Sequence, residues 1–223
     1  MRPPAGSNQG STVATPDQSA ADKGLSAALG FRTHSGWAVA VTVAGVPTAP
    51  AVVDRRRIEL VDRGCPGTTQ PYHTAAQLDL EQAEEFIQQC VQRTRLLAIQ
   101  ALHPIIDHLT AAGLEVVASG ILLSSGRPTT DLRTTLASHA LIHTAEGHFF
   151  REALTYASEH YRVPVVGVKE RDLHGRIAAE PGGSADDVRR RVTEWGQQLG
   201  PPWRQDEKNA ALVAWLALKG SGR

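Results

Sequence analysis

The densest group of chemistry-bearing side chains in the sequence is Ser138-His139-Ala140-Leu141-Ile142-His143-Thr144-Ala145-Glu146-Gly147-His148. His139, His143 and Glu146 recur at intervals of four and three, which puts all three on one helical face beside the apolar stripe. Two imidazoles and a carboxylate so placed suit a transition metal or a polarised acid-base group. They would serve equally well as hydrogen-bonding partners across a helix-sheet interface. His148 falls on another face, where solvent is its natural surrounding. Gly147 sits inside an otherwise regular helical pattern, at a cost of about 1 kcal/mol relative to Ala. Tight packing on a neighbouring helix or close approach of a ligand would explain it.

A second group is Thr33-His34-Ser35-Gly36, a glycine turn that follows Arg32. Here His34 could act as a general acid or base and Arg32 could hold a phosphate through its fork of donors, or the segment is ordinary turn chemistry. Asp206 and Glu207 follow Gly200-Pro201-Pro202-Trp203-Arg204 and open a helical pattern. They suit capping and the positive helix end, or metal ligation if partners converge from elsewhere. Arg55-Arg56-Arg57 and Arg189-Arg190-Arg191 are the basic runs. The first lies in a strand pattern, so its members cannot all face one ligand. The second is flanked by Asp186, Asp187 and Glu194, as a solvated face would be.

Positioning these groups requires a sizeable core, and 223 residues with 41% hydrophobic side chains can bury one without staples. Two cysteines, Cys65 and Cys90, are too few and too far apart for a zinc or disulfide framework. Twenty-three basic and 23 acidic side chains leave no net field, so nucleic-acid binding needs a local patch. The 5% aromatic content lacks the interleaving of a single-strand binder. Residues 1–24 are mostly Gly, Ser, Thr, Pro, Gln and Ala with no apolar run and are expected to be a disordered tail. With neither a secretory pattern nor an apolar span, a cytoplasmic location and no membrane partner are expected.

From Leu25 to Phe31 and from Trp37 to Val43 the chain reads as a hairpin, and Ala51 to Val61 as a third strand with one wet face. Leu78 to Ala112 carries Ala83, Phe86, Ile87, Cys90, Leu97 and Ala101 at helical spacing, with Pro104 expected to kink or divide it. Leu114 to Leu123 is a continuous apolar run, the best candidate for a central strand. A long helix is expected over Leu132 to Tyr161, a short buried strand over Val163 to Val168, and helices over Ala185 to Leu199 and Asp206 to Leu218, with Asp206 placed to cap the last. Three strands, then helices alternating with strands, predict an α/β fold with a mixed five-stranded sheet. It comprises an antiparallel meander and a parallel portion, with helices on both faces.

That order resembles the ribonuclease H-like superfamily, and local motifs resemble its Holliday-junction resolvase branch, the RuvC and YqgF type. Leu29-Gly30-Phe31 with Ser35-Gly36-Trp37-Ala38-Val39 resembles its first strand and glycine turn. Val165-Val166-Gly167-Val168-Lys169 resembles its last strand with a trailing Lys, and Asp206-Glu207-Lys208-Asn209-Ala210-Ala211 resembles its final helix. The resemblance implies one domain over residues 25–219, DNA or RNA as partner, and phosphodiester hydrolysis with Mg²⁺ or Mn²⁺ held by converging carboxylates. The chain departs from that pattern. Arg32 falls where the family has its first-strand Asp, Ser119 or Gly120 where it has a Glu, and Asn209 at the second acidic position of the final helix. Asp206 alone matches as a metal ligand, and a guanidinium repels a cation.

Three readings stay open: a divergent metal-dependent or histidine-based nuclease, a non-catalytic binding or assembly module that has lost the metal site, and a phosphate or nucleotide binder. The candidate residues are His34, His139, His143 and Glu146 for catalysis, Arg32 and Lys169 for substrate, and Asp206 for metal.

Overall fold

Gly36 adopts a φ of 81°, a geometry that residues bearing a Cβ resist, and it folds Leu25–His34 (β1) back onto Trp37–Val46 (β2). Ala49–Glu59 (β3) continues the meander antiparallel to β2. Leu114–Leu123 (β4) lies parallel to β1 on its other side, and Val165–Lys169 (β5) parallel to β4. The sheet order is therefore β3-β2-β1-β4-β5, the mixed five-stranded arrangement expected from the order of elements. The computed structural model describes residues 25–62, 64–126, 131–180 and 183–221. The tail expected over residues 1–24 lies outside them.

The helices are Pro71–Ala75 (α1), Leu80–Ala111 (α2), Leu132–Leu136 (α3), His139–His160 (α4), Leu173–Ala178 (α5), Ala185–Leu199 (α6) and Gln205–Gly220 (α7). Alternation along the strands sends side chains to two faces. Val39, Val41, Val43, Ala118 and Val168 pack with α5, α6 and α7, whereas Phe31, Ala38, Ala40 and Ile121 pack with α2 and α4. Both faces are thus covered by helices, as a sheet with a central parallel portion demands.

Two elements differ from their sequence expectations. Pro104 does not divide α2: the helix runs through it for 32 residues, Leu80–Ala111. Leu102, Ile105 and Leu109 are buried on either side of Pro104, and their burial offsets a proline cost of about 3 kcal/mol. The helix expected from Leu132 to Tyr161 is instead divided, because Asp131 caps α3 through the Thr134 N–H and a new helix starts after Ser138. That break sets His139 and His143 in the first turns of α4.

At the centre, Gly30 of β1 and Gly120 of β4 are register partners beneath α7. A Cβ on Gly30 would overlap the Ala210 carbonyl and lie 2.7 Å from Ala214 N; one on Gly120 would overlap the Val213 carbonyl. α7 is apolar nearly all round, from Ala210 to Leu218, as befits a helix buried on most sides. Its backbone comes down directly onto the two glycines.

Candidate functional site

The structure sorts the candidate residues into two groups, and among the described residues no hydrogen bond or ion pair joins them. The first is a charged cluster at the end of β1. Arg32 and His34 leave this strand on the same side, two residues apart, toward the first turn of α7. The Arg32 guanidinium lies 3.3 Å from Glu170 Oε2 and 3.6 Å from Asp206 Oδ1. His34 Nε2 faces Asp206 Oδ2 at 2.9 Å. The His34 ring stacks on Trp37, with centroids 4.2 Å apart, and Arg57 covers Trp37 at 3.7 Å from its centroid. Asn209 Nδ2 donates to Glu170 Oε1 at 3.3 Å, and Gln205 Nε2 donates to Asn209 Oδ1 at 2.7 Å.

A second guanidinium stands behind the first. Arg151 is buried and donates from Nε to the Leu122 carbonyl at 2.7 Å, with further contacts to Ser124 Oγ and the Gly147 carbonyl. Burial, and after it the positive charge of Arg32, holds its pKa below the usual guanidinium value. At Gly147 a Cβ would meet only Arg151 Nη1, at 3.0 Å, so within 4 Å the glycine borders the guanidinium and no neighbouring helix.

Asp206 does not cap α7. The N-cap is Arg204, whose N–H donates to Glu207 Oε2 at 2.7 Å. With the cap satisfied one residue further on, Asp206 is left to pair with Arg32 and His34. Lys169 is exposed at the end of β5, next to Glu170. The positions that resemble the family's fourth-strand Glu are sealed: Ser119 is fully buried and accepts from the Ser158 hydroxyl at 3.1 Å, and Gly120 lies under α7.

The second group lies on α1 and α4. His139 and His143 are exposed, with Nε2 atoms 2.9 Å apart, whereas Glu146, one turn further on, is buried. Glu146 Oε1 accepts the backbone N–H groups of Tyr72 and His73 at 2.8 and 3.1 Å and faces His73 Nδ1 at 3.2 Å. Burial pushes the Glu146 carboxyl up, against the pull of these hydrogen bonds. His73 therefore joins the pair in place of Glu146, and the nitrogens of His73, His139 and His143 lie within 4.8 Å of one another. His73 falls in a segment that reads as irregular. The available signal was Pro71, a residue suited to the first position of a helix.

The basic runs are largely engaged within the fold. Arg55 donates to the carbonyls of Gly200, Pro201 and Pro202, Arg56 pairs with Asp54 at 2.6 Å and Arg57 with Glu59 at 2.9 Å. Arg189 and Arg190 pair with Asp186 and Asp187, and Arg191 lies over Trp215.

No protein-family model matches the chain, and no curated protein matches it. Among solved structures it is similar to the Thermus thermophilus RuvC structure, at 11% identity and a TM-score of 0.47, over 85% of this chain and 91% of that one. It is similar to the same degree, over 85% and 90% of the two chains, to T. thermophilus RuvC in complex with Holliday junction substrate. The strand order and the two helical layers define a ribonuclease H-like fold. Its charged cluster at the end of β1 carries guanidiniums where the resemblance called for metal-binding carboxylates. Two divalent ions do not fit there: Arg32 occupies the centre, both nearby carboxylates are paired with cations, and Asn209 is neutral. Among the described residues, no helix is long and apolar enough to cross a membrane.

Proposed function

We propose that this chain is a non-catalytic ribonuclease H-like module that binds nucleic acid through the end of β1 and does not hydrolyse it with two divalent metals. The observation that carries the reading is Arg32, a half-buried guanidinium held between Glu170 and Asp206. Phosphoryl-transfer sites of the two-metal kind need oxygen ligands converging on cations. Here the converging oxygens meet a fixed positive charge instead. A guanidinium and an exposed ammonium, Lys169, at one end of the sheet are suited to phosphate oxygens.

The phosphate-binding reading of the glycine turn has less support. Gly36 is buried, its carbonyl accepts the Leu60 N–H at 2.8 Å, and Val61 packs against it, so β3 and its extension close the turn. The divergent-nuclease reading retains only Asp206 from the expected ligands.

The test is cleavage and anisotropy-detected binding of labelled single-stranded, duplex and four-way-junction DNA and of an RNA-DNA hybrid, with Mg²⁺ or Mn²⁺. The expected result is binding without cleavage, weakened by Arg32→Ala together with Lys169→Ala and falling steeply with salt. Cleavage that disappears in Asp206→Ala would overturn the non-catalytic reading. Failure to bind any of the four would overturn nucleic acid as the partner.

A further inference from the structure

Away from the end of β1, His73, His139 and His143 bring three imidazoles together from two helices. We propose that they form a site for a borderline transition-metal ion of the zinc type, with Glu146 as the carboxylate that orients His73. Four observations carry this.

The first is distance. The three nitrogens lie within 4.8 Å of one another, and the Nε2 atoms of His139 and His143 are 2.9 Å apart. A tetrahedral ion with bonds of about 2.0 Å spaces its nitrogen ligands about 3.3 Å apart. Small ring rotations bring the trio to that spacing, and His139 and His143 are exposed and free to make them.

The second is the helical frame. His139 and His143 are four residues apart in the opening turns of α4, so a regular backbone holds them on one face. The three rings meet edge to face, with centroids 4.4 to 5.5 Å apart, so that their edges converge.

The third is the partner of His73. Its Nδ1 faces Glu146 Oε1 at 3.2 Å. With Nδ1–H donated to the carboxylate, Nε2 would be the lone-pair nitrogen offered to a metal, the arrangement by which a carboxylate fixes the tautomer of a metal-binding histidine. Glu146 is itself fixed by the Tyr72 and His73 N–H groups.

The fourth is charge. Glu146 is 5% exposed, and its Oε2 is buried with no hydrogen-bond partner among the described residues. A cation bound at the adjacent imidazoles would offset that uncompensated carboxylate.

Three imidazoles select zinc, cobalt, nickel or copper over the harder Mg²⁺ and Mn²⁺, which favour oxygen ligands. Because His139 and His143 are exposed, the fourth coordination position opens to solvent, as in sites that keep a water ligand. The site stands or falls independently of nucleic-acid binding at the end of β1.

The experiment titrates untagged, metal-free full chain with Zn²⁺ by calorimetry and with Co²⁺ by visible absorption. The expected result is one ion per chain with a Kd below about 1 μM, a tetrahedral Co²⁺ spectrum, and no competition from Mg²⁺. His139→Ala with His143→Ala should abolish both signals, and Glu146→Gln should weaken affinity about 10- to 100-fold. His143→Gln, at an exposed position, keeps the test readable if a harsher variant misfolds. His103→Ala, which removes an exposed imidazole paired with Asp107, should change nothing. Absence of binding, or binding that persists unchanged in the double variant and in His143→Gln, would overturn the proposal.

Discussion

Nε2 of His34 and Oδ2 of Asp206 stand 2.9 Å apart although 172 positions separate them in the chain. The contact ties the end of β1 to the first turn of α7, and Asp206 shares its other oxygen with Arg32. The Asp206 carboxylate is thereby committed to two side chains of this protein. That commitment makes the cluster an internal charge network, and its behaviour under substitution follows.

Arg32→Asp with Asn209→Asp should turn the network into a cation site. The double variant would place four carboxylates, including Glu170 and Asp206, around one point with no guanidinium between them. It should melt below the wild type in chelator and recover on adding Mn²⁺, while the wild type shows no Mn²⁺ shift. Thermal melts with and without the ion check this, and equal insensitivity of the two proteins would contradict it.

Gly30→Ala should be among the most destabilising single-methyl additions. The new Cβ would strike the α7 backbone at Ala210 and Ala214 rather than a flexible side chain. Overpacking against backbone costs about 3 kcal/mol or more at the upper end of such substitutions. Gly175→Ala, inside α5 where a Cβ meets nothing within 4 Å, is the control and should stabilise by up to about 1 kcal/mol. Urea denaturation of both reads the difference.

Arg151→Met should cost about 1 to 3 kcal/mol. It retains much of the side-chain bulk but removes the donor to the carbonyl of the buried Leu122. Arg151→Lys should recover only part of the loss, since one ammonium cannot reproduce the fork that reaches Leu122, Gly147 and Ser124. Equal stability of wild type and Arg151→Met would show that these bonds contribute nothing net.

The two cysteines should differ sharply in reactivity. Burial, and after it the Glu146 carboxylate and Cys65, pushes the Cys90 thiol up to about 11, whereas Cys65 is exposed. Iodoacetamide near pH 8 should label Cys65 in the native protein and Cys90 only after unfolding. The sign of the linked stability follows from proton counts: between the ordinary thiol value of 9.0 and about 11, the folded state holds a proton that the unfolded state has released. Stability should therefore fall as pH rises through that window, and Cys90→Ala should flatten the slope. Rapid labelling of Cys90 in the native protein would contradict this.

Much of the sheet was legible because its signals are local. Period-two patterning, the Ser35-Gly36 turn and the continuous apolar run from Leu114 each specify a strand with no knowledge of the rest. The helix over Ala185–Leu199 was equally legible from the Gly200-Pro201-Pro202 that ends it. That Pro104 does not divide α2 was not legible, because its penalty is local while the compensating burial of Leu102 and Ile105 comes from elements distant in sequence. The cap of α7 misled for a different reason: Asp206 and Glu207 are adjacent acids, and only the turn geometry decides that Glu207 reaches back to Arg204. At the candidate site the i, i+4 histidine pair was visible, but His73 joins it from 66 residues upstream of His139, which no helical spacing encodes. Glu170 and Arg151 were invisible in the same way, each brought to Arg32 by the assembled sheet.

The small apolar cluster of Ala75, Ala83 and Ile87, flanked by Leu132 and Leu136, is joined to the core between the sheet, α2 and α4 only through the partly buried Tyr72, Phe86 and Val91 among the described residues. It rests on α2, whose 32 residues extend about 48 Å, beyond the reach of a ten-residue strand at about 33 Å. The helical overhang, with α1 and α3 lying on it, should behave as a cooperative unit of its own, opening at a lower free energy than the sheet it adjoins. Amide exchange over residues 71–75 and 132–136 would then run ahead of exchange in β1 and β4. An ion clasped between His73 and the start of α4 would slow the former and leave the latter untouched, so that ligand occupancy would be written in the breathing of one corner of the molecule.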